Sequence, residues 1–420
     1  MKFYTTIHNL RTFMMIGWRN MWRQRRRSLV VIFSMAIGIF AMIISVAFIN
    51  GMTIQMVENT ISTSLGHIAI HHRGYQDSMK IEYNFYPDPR YYGLMKKNAE
   101  IKSFTPRVKV QGMIRSSEAS RGVMVVGIDP VREKNVSMLY EYTSRKNGSR
   151  FLGDPAADEV LIAKSLADKL DLYLGDKLVL MVQDEHNEII GVGLQIVGFF
   201  ETPVESFDKF VVFTGIKKLQ EITGLGGNVS EITIITKNKD VVDPAKKYLL
   251  GAINNSGLEI LTWKDMAPNL VSAIRLMDSM MYIFFMIIFI TVVFSVANTL
   301  IMSIMERFHE LGVMKCIGTR PAQIFFMVIF EAINLGLVGL MLGIAVAVPL
   351  VILMGHTGLD LSFAMDAMRK WKIGNTIYPM IRMRDLIAAT SVVLTTTIVA
   401  AIYPAYKAAR IKPFEALHYI

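Results

Sequence analysis

Residues 23–57 read RQRRRSLVVIFSMAIGIFAMIISVAFINGMTIQMV, an arginine cluster followed by an uncharged apolar run from Ser28 to Val57. A helix needs ~20 such residues to cross a bilayer core of ~30 Å, so the run is read as a membrane span. Three similar runs lie far down the chain: Ser279–Met305, the stretch from Arg320 to Leu359 interrupted only by Glu331, and Leu386–Tyr406. Between the first two runs the sequence is of ordinary globular character. The expected fold is a four-span α-helical membrane domain carrying a large mixed α/β domain outside the cytoplasm.

The expected boundaries are a cytoplasmic N-terminal helix over 1–27, spans at 28–51, 279–304, 321–355 and 385–406, and an outer domain over 52–278. A cytoplasmic helix over 305–320, a short outer loop over 356–384 and a cytoplasmic tail over 407–420 complete the layout. The mean hydropathy of +0.37 suits this mixture. A net charge of +10 would also suit nucleic acid, but the basic residues mark membrane sides instead. Arg11, Arg19, Arg23 and Arg25–Arg27 precede the first span, and Lys407, Arg410 and Lys412 follow the last. The positive-inside rule then places both termini in the cytoplasm. Membrane lipids, not nucleic acid, are the implied surroundings.

Cys316 is the single cysteine, so the outer domain is held by its own core without disulfides, as suits a bacterial envelope. The expected location is the bacterial inner membrane, with the domain in the periplasm. A cleaved signal peptide is not expected, because the first run exceeds the usual h-region of about 7–15 residues. Leu10, Phe13, Met14, Gly17, Trp18 and Met21 recur at helical spacing beside Arg11, Arg19 and Arg23. That pattern suits an interfacial helix, or else a plain stop-transfer flank.

In the outer domain, strands are expected at Gly66–His71, Arg107–Ile114, Gly122–Ile128, Lys177–Val182, Gln195–Phe200 and Glu231–Thr236. Helices are expected at Ala163–Leu172, Gly215–Ile222, Pro244–Ile253 and Lys264–Met277, and Tyr75–Tyr92 reads as an irregular insertion or exposed loop. Catalytic signatures are missing. No G-x-x-x-x-G-K-[ST] loop occurs, so ATP and Mg belong to a separate chain and this one is expected to bind no cofactor and to be no enzyme. His67 and His71 would share a strand face, with His72 beside them. No partner carboxylate or thiol completes a metal set, and they read as surface histidines.

The membrane half carries the informative motifs. Met305-Glu306-Arg307-Phe308-His309-Glu310-Leu311-Gly312-Val313-Met314-Lys315-Cys316-Ile317-Gly318-Thr319-Arg320 joins spans two and three. Tyr403-Pro404-Ala405-Tyr406-Lys407-Ala408-Ala409-Arg410-Ile411-Lys412-Pro413-Phe414-Glu415-Ala416-Leu417 ends the chain's last span. Both resemble signatures of the MacB/FtsX/LolC-type ABC transporter permeases, and the layout is similar along nearly the whole chain. Gly66-His67-Ile68, Val126-Gly127-Ile128-Asp129-Pro130 and Leu174-Gly175-Asp176 look like stretches of the lipoprotein-releasing branch.

The resemblance implies that the first motif is a coupling helix docking on a separate ATPase through Glu306, Arg307, Phe308, Glu310, Leu311, Met314 and Lys315. Phe308, Leu311 and Met314 would form the apolar ridge of that contact. It also implies two permease chains, like or unlike, and two ATPase copies, with a periplasmic carrier or adaptor as a further partner. One departure stands out. The carrier-recruiting permease of that branch has a protruding hook between two strands, whereas here Gln183–Gly193 is a short hairpin with a polar tip over 184–188, read as solvated.

Ser34, Gly38, Ala41 and Ser45 share one face of span one, and Gly336, Gly339, Gly343 and Ala347 one face of span three. Small residues let helices approach closely in lipid, at a dimer seam or substrate entrance, although they are also common in spans generally. Glu331 is the one ionisable residue deep in a span, expected to bond a neighbouring helix rather than to relay protons. The function expected is mechanotransmission: extraction of lipoproteins or other amphiphiles from the outer leaflet, powered by the separate ATPase. A relay to a cell-wall hydrolase, as in the FtsX branch, and efflux with an adaptor and outer-membrane channel, as in the MacB branch, are the alternatives.

Overall fold

The computed structural model describes residues 15–412 except 16, 20, 24, 146, 147, 187, 254 and 365–375. In chain order its main elements begin with α1 (Arg25–Thr60), β1 (Ile68–His72), α2 (Pro89–Lys97), β2 (Ile101–Arg115) and β3 (Ser120–Ile128). Next come β4 (Glu159–Ala163), β5 (Lys177–Gln183), β6 (Ile189–Phe200), β7 (Val211–Gly215), α3 (Ile216–Thr223) and β8 (Glu231–Thr236). The chain ends with α4 (Val242–Ala252), β9 (Leu258–Thr262), α5 (Pro268–Glu306), α6 (Phe308–Cys316), α7 (Pro321–Thr357) and α8 (Met383–Ala409). These form two compact units, one of Met1–Thr53, Arg275–Leu359 and Ile377–Ile420, the other of Ile54–Ile274 and Asp360–Thr376.

In the helical unit, α1, α5, α7 and α8 are long and apolar enough to cross a bilayer. Large apolar side chains such as Phe33, Ile37, Phe284, Phe294, Met341 and Ile387 point outward, as suits a lipid solvent. The glycine stripe of α7 lies against its own chain. A Cβ on Gly339 would stand 2.8 Å from Met35 Cβ, one on Gly343 2.9 Å from Ile39 Cβ, and one on Gly336 3.0 Å from Thr397. Only glycine allows α1 and α8 to lie so close to α7. The second long helix is held differently: Val292, Val296, Leu300 and Ile304, four apart, are its buried seam. Gly17 and Met21 are also buried, with Met21 in the same apolar cluster as Val296 and Leu335, while Trp18 and Trp22 stay exposed. The expected N-terminal helix is thus inserted into the bundle on one side; Leu10, Phe13 and Met14 lie outside the described residues.

The other unit is built on nine strands in the order β3-β7-β4-β6-β5-β2-β8-β1-β9, with β3 also paired to β2. That extra pairing closes six strands into a ring. The long β2 makes it possible: Arg107–Arg115 pairs with β3, Gly112–Arg115 with β5 on its other side, and Ile101–Arg107 with β8. The β3–β7 and β4–β6 pairs are parallel and the rest antiparallel. One apolar core takes in Ile68, Val108, Ile114, Val125, Leu161, Leu178, Leu180, Leu194, Phe200, Val212 and Ile234, with Leu219 of α3 packed close to Gly127 of β3. At the start of β1 the chain turns at Gly66, whose φ of 70° and a virtual Cβ 2.3 Å from Thr233 both require glycine.

Several local expectations need correction. Strands β4, β7 and β9 add to the six expected from the sequence, and the first two are almost wholly buried, so they show no alternation. The helix expected over Lys264–Met277 divides at Ala267: one turn, Trp263–Met266, opens on a capping box between Thr262 and Asp265, and α5 starts afresh at Pro268. Tyr75–Tyr92 is no exposed insertion. Tyr75 is buried, Phe85 bridges to Val229, and Asp88 caps α2 by accepting from Arg90 N at 2.8 Å. The hairpin tip is solvated at Glu185, His186 and Glu188 as expected, but it is also anchored: Asp184 is buried and accepts from the amides of His186 and Glu188, and Glu185 N donates to Thr223 O at 3.1 Å.

Candidate functional site

The helix α6 and its flanks gather the residues singled out in the sequence. Glu306 pairs with Arg27, and Glu310 with Arg23. Arg307 reaches Glu310 at 3.4 Å and Glu331 at 3.3 Å, and Ser303 Oγ donates to the other Glu331 oxygen at 3.4 Å. Lys315 Nζ donates to two main-chain carbonyls, Ala409 and Ile411, both at 2.7 Å, closing the frayed end of α8. The small helix and its flanking Glu306 and Arg307 are therefore fastened to the start of α1, to α7 and to the end of α8 at once.

These contacts differ in weight. Arg23–Glu310 and Arg27–Glu306 are half-exposed and contribute about 0–1 kcal/mol each, so they orient more than they stabilise. Burial alone would raise the Glu310 carboxyl, but Arg23 and Arg307 outweigh it and hold it below the usual range. Partial burial lowers the Lys315 ammonium. Arg307–Glu331 is the buried pair, and stripping one partner from such a pair costs about 3–5 kcal/mol.

The apolar ridge is a correction. Leu311 is 2% exposed, and Phe308 and Met314 pack on the same internal cluster with Val296, Leu300 and Met327, so the ridge faces the bundle and not a partner. The outward face carries His309, Val313, Cys316 and Ile317, the last 78% exposed. Their 309/313/316/317 spacing is visible in the sequence, but both faces of this helix carry apolar residues, and periodicity alone does not choose between them.

On α1, Ser34 and Ala41 are exposed and Gly38 and Ser45 half-buried. A Cβ on Gly38 would make only ordinary contact, 3.6 Å, with Ile288 and Val292. The tight intrachain seam uses Ile32, Met35 and Ile39 instead; Gly38 lies beside α5 of the same chain, and of the four small residues Ser34 and Ala41 are the exposed ones.

In the sheet unit, His67 and His71 are interior rather than surface groups, whereas His72 is half-buried. His67 Nδ1 accepts from Thr236 N at 3.0 Å. His71, 1% exposed, stacks on Tyr75 at 5.2 Å and lies 3.9 Å from Glu231, with neither ring nitrogen hydrogen-bonded among the described residues. Glu231 is held by Lys109 at 2.6 Å and Arg107 at 3.5 Å, and Arg107 forks onto Glu133. Arg107 also donates to Ser64 O at 2.8 Å, in the π-helical turn Ile61–Leu65 that follows α1. Burial holds the His71 imidazole down at about 4. Burial alone would raise Glu231, but the cations outweigh it and set it at about 2. An open cavity of about 840 Å³ elsewhere in the unit is lined by Tyr142, Lys164, Tyr173, Phe199 and Glu201 among others.

Comparison with known proteins agrees with the architecture. The MacB-like periplasmic core domain family matches residues 28–251, and the FtsX-like permease C-terminal family matches residues 282–413. The chain is 21% identical to the lipoprotein-releasing system transmembrane protein LolC of Neisseria meningitidis, over 93% of this chain and 94% of that one. It is 20% identical to the corresponding LolE of Haemophilus influenzae, over 77% and 79%. Among solved structures, the periplasmic region of MacB from Actinobacillus actinomycetemcomitans aligns with 52% of this chain and 97% of its own, at 13% identity and a TM-score of 0.35.

Proposed function

This chain belongs to the MacB/FtsX/LolC-type ABC transporter permeases, and from that premise we propose that it is the membrane subunit through which a separate ATPase drives an extracytoplasmic domain. Two such chains, like or unlike, would assemble with two ATPase copies that carry the ATP and Mg. The observation that carries this reading is the fastening of α6 to three long helices while it presents His309, Val313, Cys316 and Ile317 outward. A push on that face is passed to α1, α7 and α8 together. ATP biases the two states only if the ATPase binds α6 differently in each.

The charge asymmetry supports cytoplasmic termini and a periplasmic sheet domain in a bacterial inner membrane. The exposure of Ser34 and Ala41, on the small-residue face with Gly38 and Ser45, supports a second permease chain as its neighbour. As cargo, the names of the relatives favour lipoproteins lifted from the outer leaflet. The short hairpin at Gln183–Ile189 supplies no hook, so hand-over to a soluble carrier would use a surface on the partner permease.

The test is co-purification with the ATPase. Val313→Asp with Ile317→Asp should leave the permease inserted and thermally stable yet remove the ATPase, since truncating interface anchors costs about 1–4 kcal/mol. Leu311→Asp should instead destabilise the permease itself. Undiminished co-purification and stimulation with the Val313/Ile317 pair would sink the coupling role of this face.

A further inference from the structure

The arginine cluster at the start of α1 holds more positive charge than its protein partners balance. Arg23, Arg25, Arg26, Arg27 and Glu306 line one open cavity of about 420 Å³. Glu310 and Glu306 engage Arg23 and Arg27, whereas Arg25 and Arg26 are exposed. Arg27 Nη1 is buried without a hydrogen-bond partner among the described residues. A buried guanidinium N–H left unpaired is costly, and an arginine fork matches phosphate oxygens in two parallel bonds.

Two further features distinguish a lipid from a free anion. Trp18 and Trp22 are exposed and meet edge to face at 6.1 Å, and indoles of this kind favour the headgroup level of a bilayer. Directly beyond the arginines, Leu29, Val30 and Phe33 are exposed as an apolar strip suited to acyl chains. We propose that this cavity holds the headgroup phosphate of an anionic phospholipid, with its acyl chains along Leu29, Val30 and Phe33. The phosphate offsets the surplus charge, so Arg23 and Arg27 stay available to hold Glu310 and Glu306, and through them α6. The proposal rests on α1 being a span, but not on α6 contacting an ATPase.

The test is native mass spectrometry of the full-length chain in detergent, titrated with phosphatidylglycerol or phosphatidylcholine of the same acyl chains. A basic residue near a membrane surface contributes about fivefold in affinity for anionic lipid. The wild type should therefore prefer phosphatidylglycerol by well over fivefold, R26Q should lose about fivefold, and R25Q/R26Q should lose roughly the square of that. R19Q, outside the cavity, should keep the preference. Equal binding of the two lipids, an unchanged R26Q, or displacement of the lipid by excess inorganic phosphate would each overturn the proposal. If R25Q/R26Q does not insert, the wild-type ratio and R26Q decide it. Undiminished ATPase co-purification of the Val313/Ile317 variant, with lipid preference intact, would count against the coupling reading alone.

Discussion

Replacing His71 by phenylalanine should flatten the acid sensitivity of the sheet domain. The imidazole is neutral in the folded chain down to about pH 4, because burial, helped by the nearby Lys109 ammonium, outweighs the pull of Glu231 toward its cation. In the unfolded chain it titrates near 6.5. Between those values the unfolded state binds the extra proton, so stability is full above pH ~6.5 and falls on acidification by about 1.4 kcal/mol per pH unit. The loss attributable to His71 reaches about 3 kcal/mol near pH 4. Glu231 acts in a separate, lower window. Its folded value of about 2 against 4.5 makes its contribution present above pH ~4.5 and lost as the pH falls toward 2. Above pH ~4 His71 is uncharged, so Lys109 and Arg107 hold that carboxylate.

Phenylalanine keeps the stack on Tyr75 and cannot titrate. Pulse proteolysis of the full chain in urea, following fragments of 54–274, should show the wild-type midpoint falling by about 1 M between pH 7 and 4.5, on an m-value of about 3 kcal/mol/M. His71→Phe should lose less than a third of that. A variant as acid-sensitive as the wild type would refute the assignment of this window to His71.

Arg307→Met should lower thermal stability by about 3–5 kcal/mol by leaving Glu331 buried without its cation, and adding Glu331→Gln should recover part of the loss; additive costs in the double-mutant cycle would refute the coupling of these two groups. Gly343→Leu should destabilise the bundle by about 1–3 kcal/mol, because its Cβ meets Ile39 at 2.9 Å. Gly38→Leu should lower the melting temperature of the single chain less than Gly343→Leu, because its Cβ makes only ordinary contact with Ile288 and Val292, while reducing cysteine cross-linking between chains along α1; equal effects of the two leucines on melting would contradict the placement of the seam.

The long helices were legible because nothing but a bilayer explains uncharged runs of that length, and the six strands with alternating or β-branched character were legible for the ordinary reason that one face is buried. Strands β4 and β7 were hidden by being buried on both faces, which erases period two and makes VLIA and VVFTG indistinguishable from helical core. For α6, the residues were named correctly but not their direction, since Leu311 and Ile317 are equally apolar and only the packing of Met327 and Leu300 decides which is inside. The ion partners Arg23 and Arg27 lie hundreds of positions from Glu310 and Glu306, beyond any local pattern. His71 was misplaced because a histidine's burial depends on neighbours such as Arg107 and Glu231 that only the strand register brings together.

The double pairing of β2 bears on how the sheet domain answers a tug. Hydrogen bonds along a ladder fail one at a time when strands are peeled from an end, but together when they are slid past one another. Because β2 is paired with β8 along one stretch and with both β3 and β5 along another, neither of its ends is a free flap from which peeling can start. A pull along β2 is met in shear by many bonds at once. Arg107 anchors that same strand to the turn leaving α1, so tension arriving there is spread across the closed ring instead of opening it.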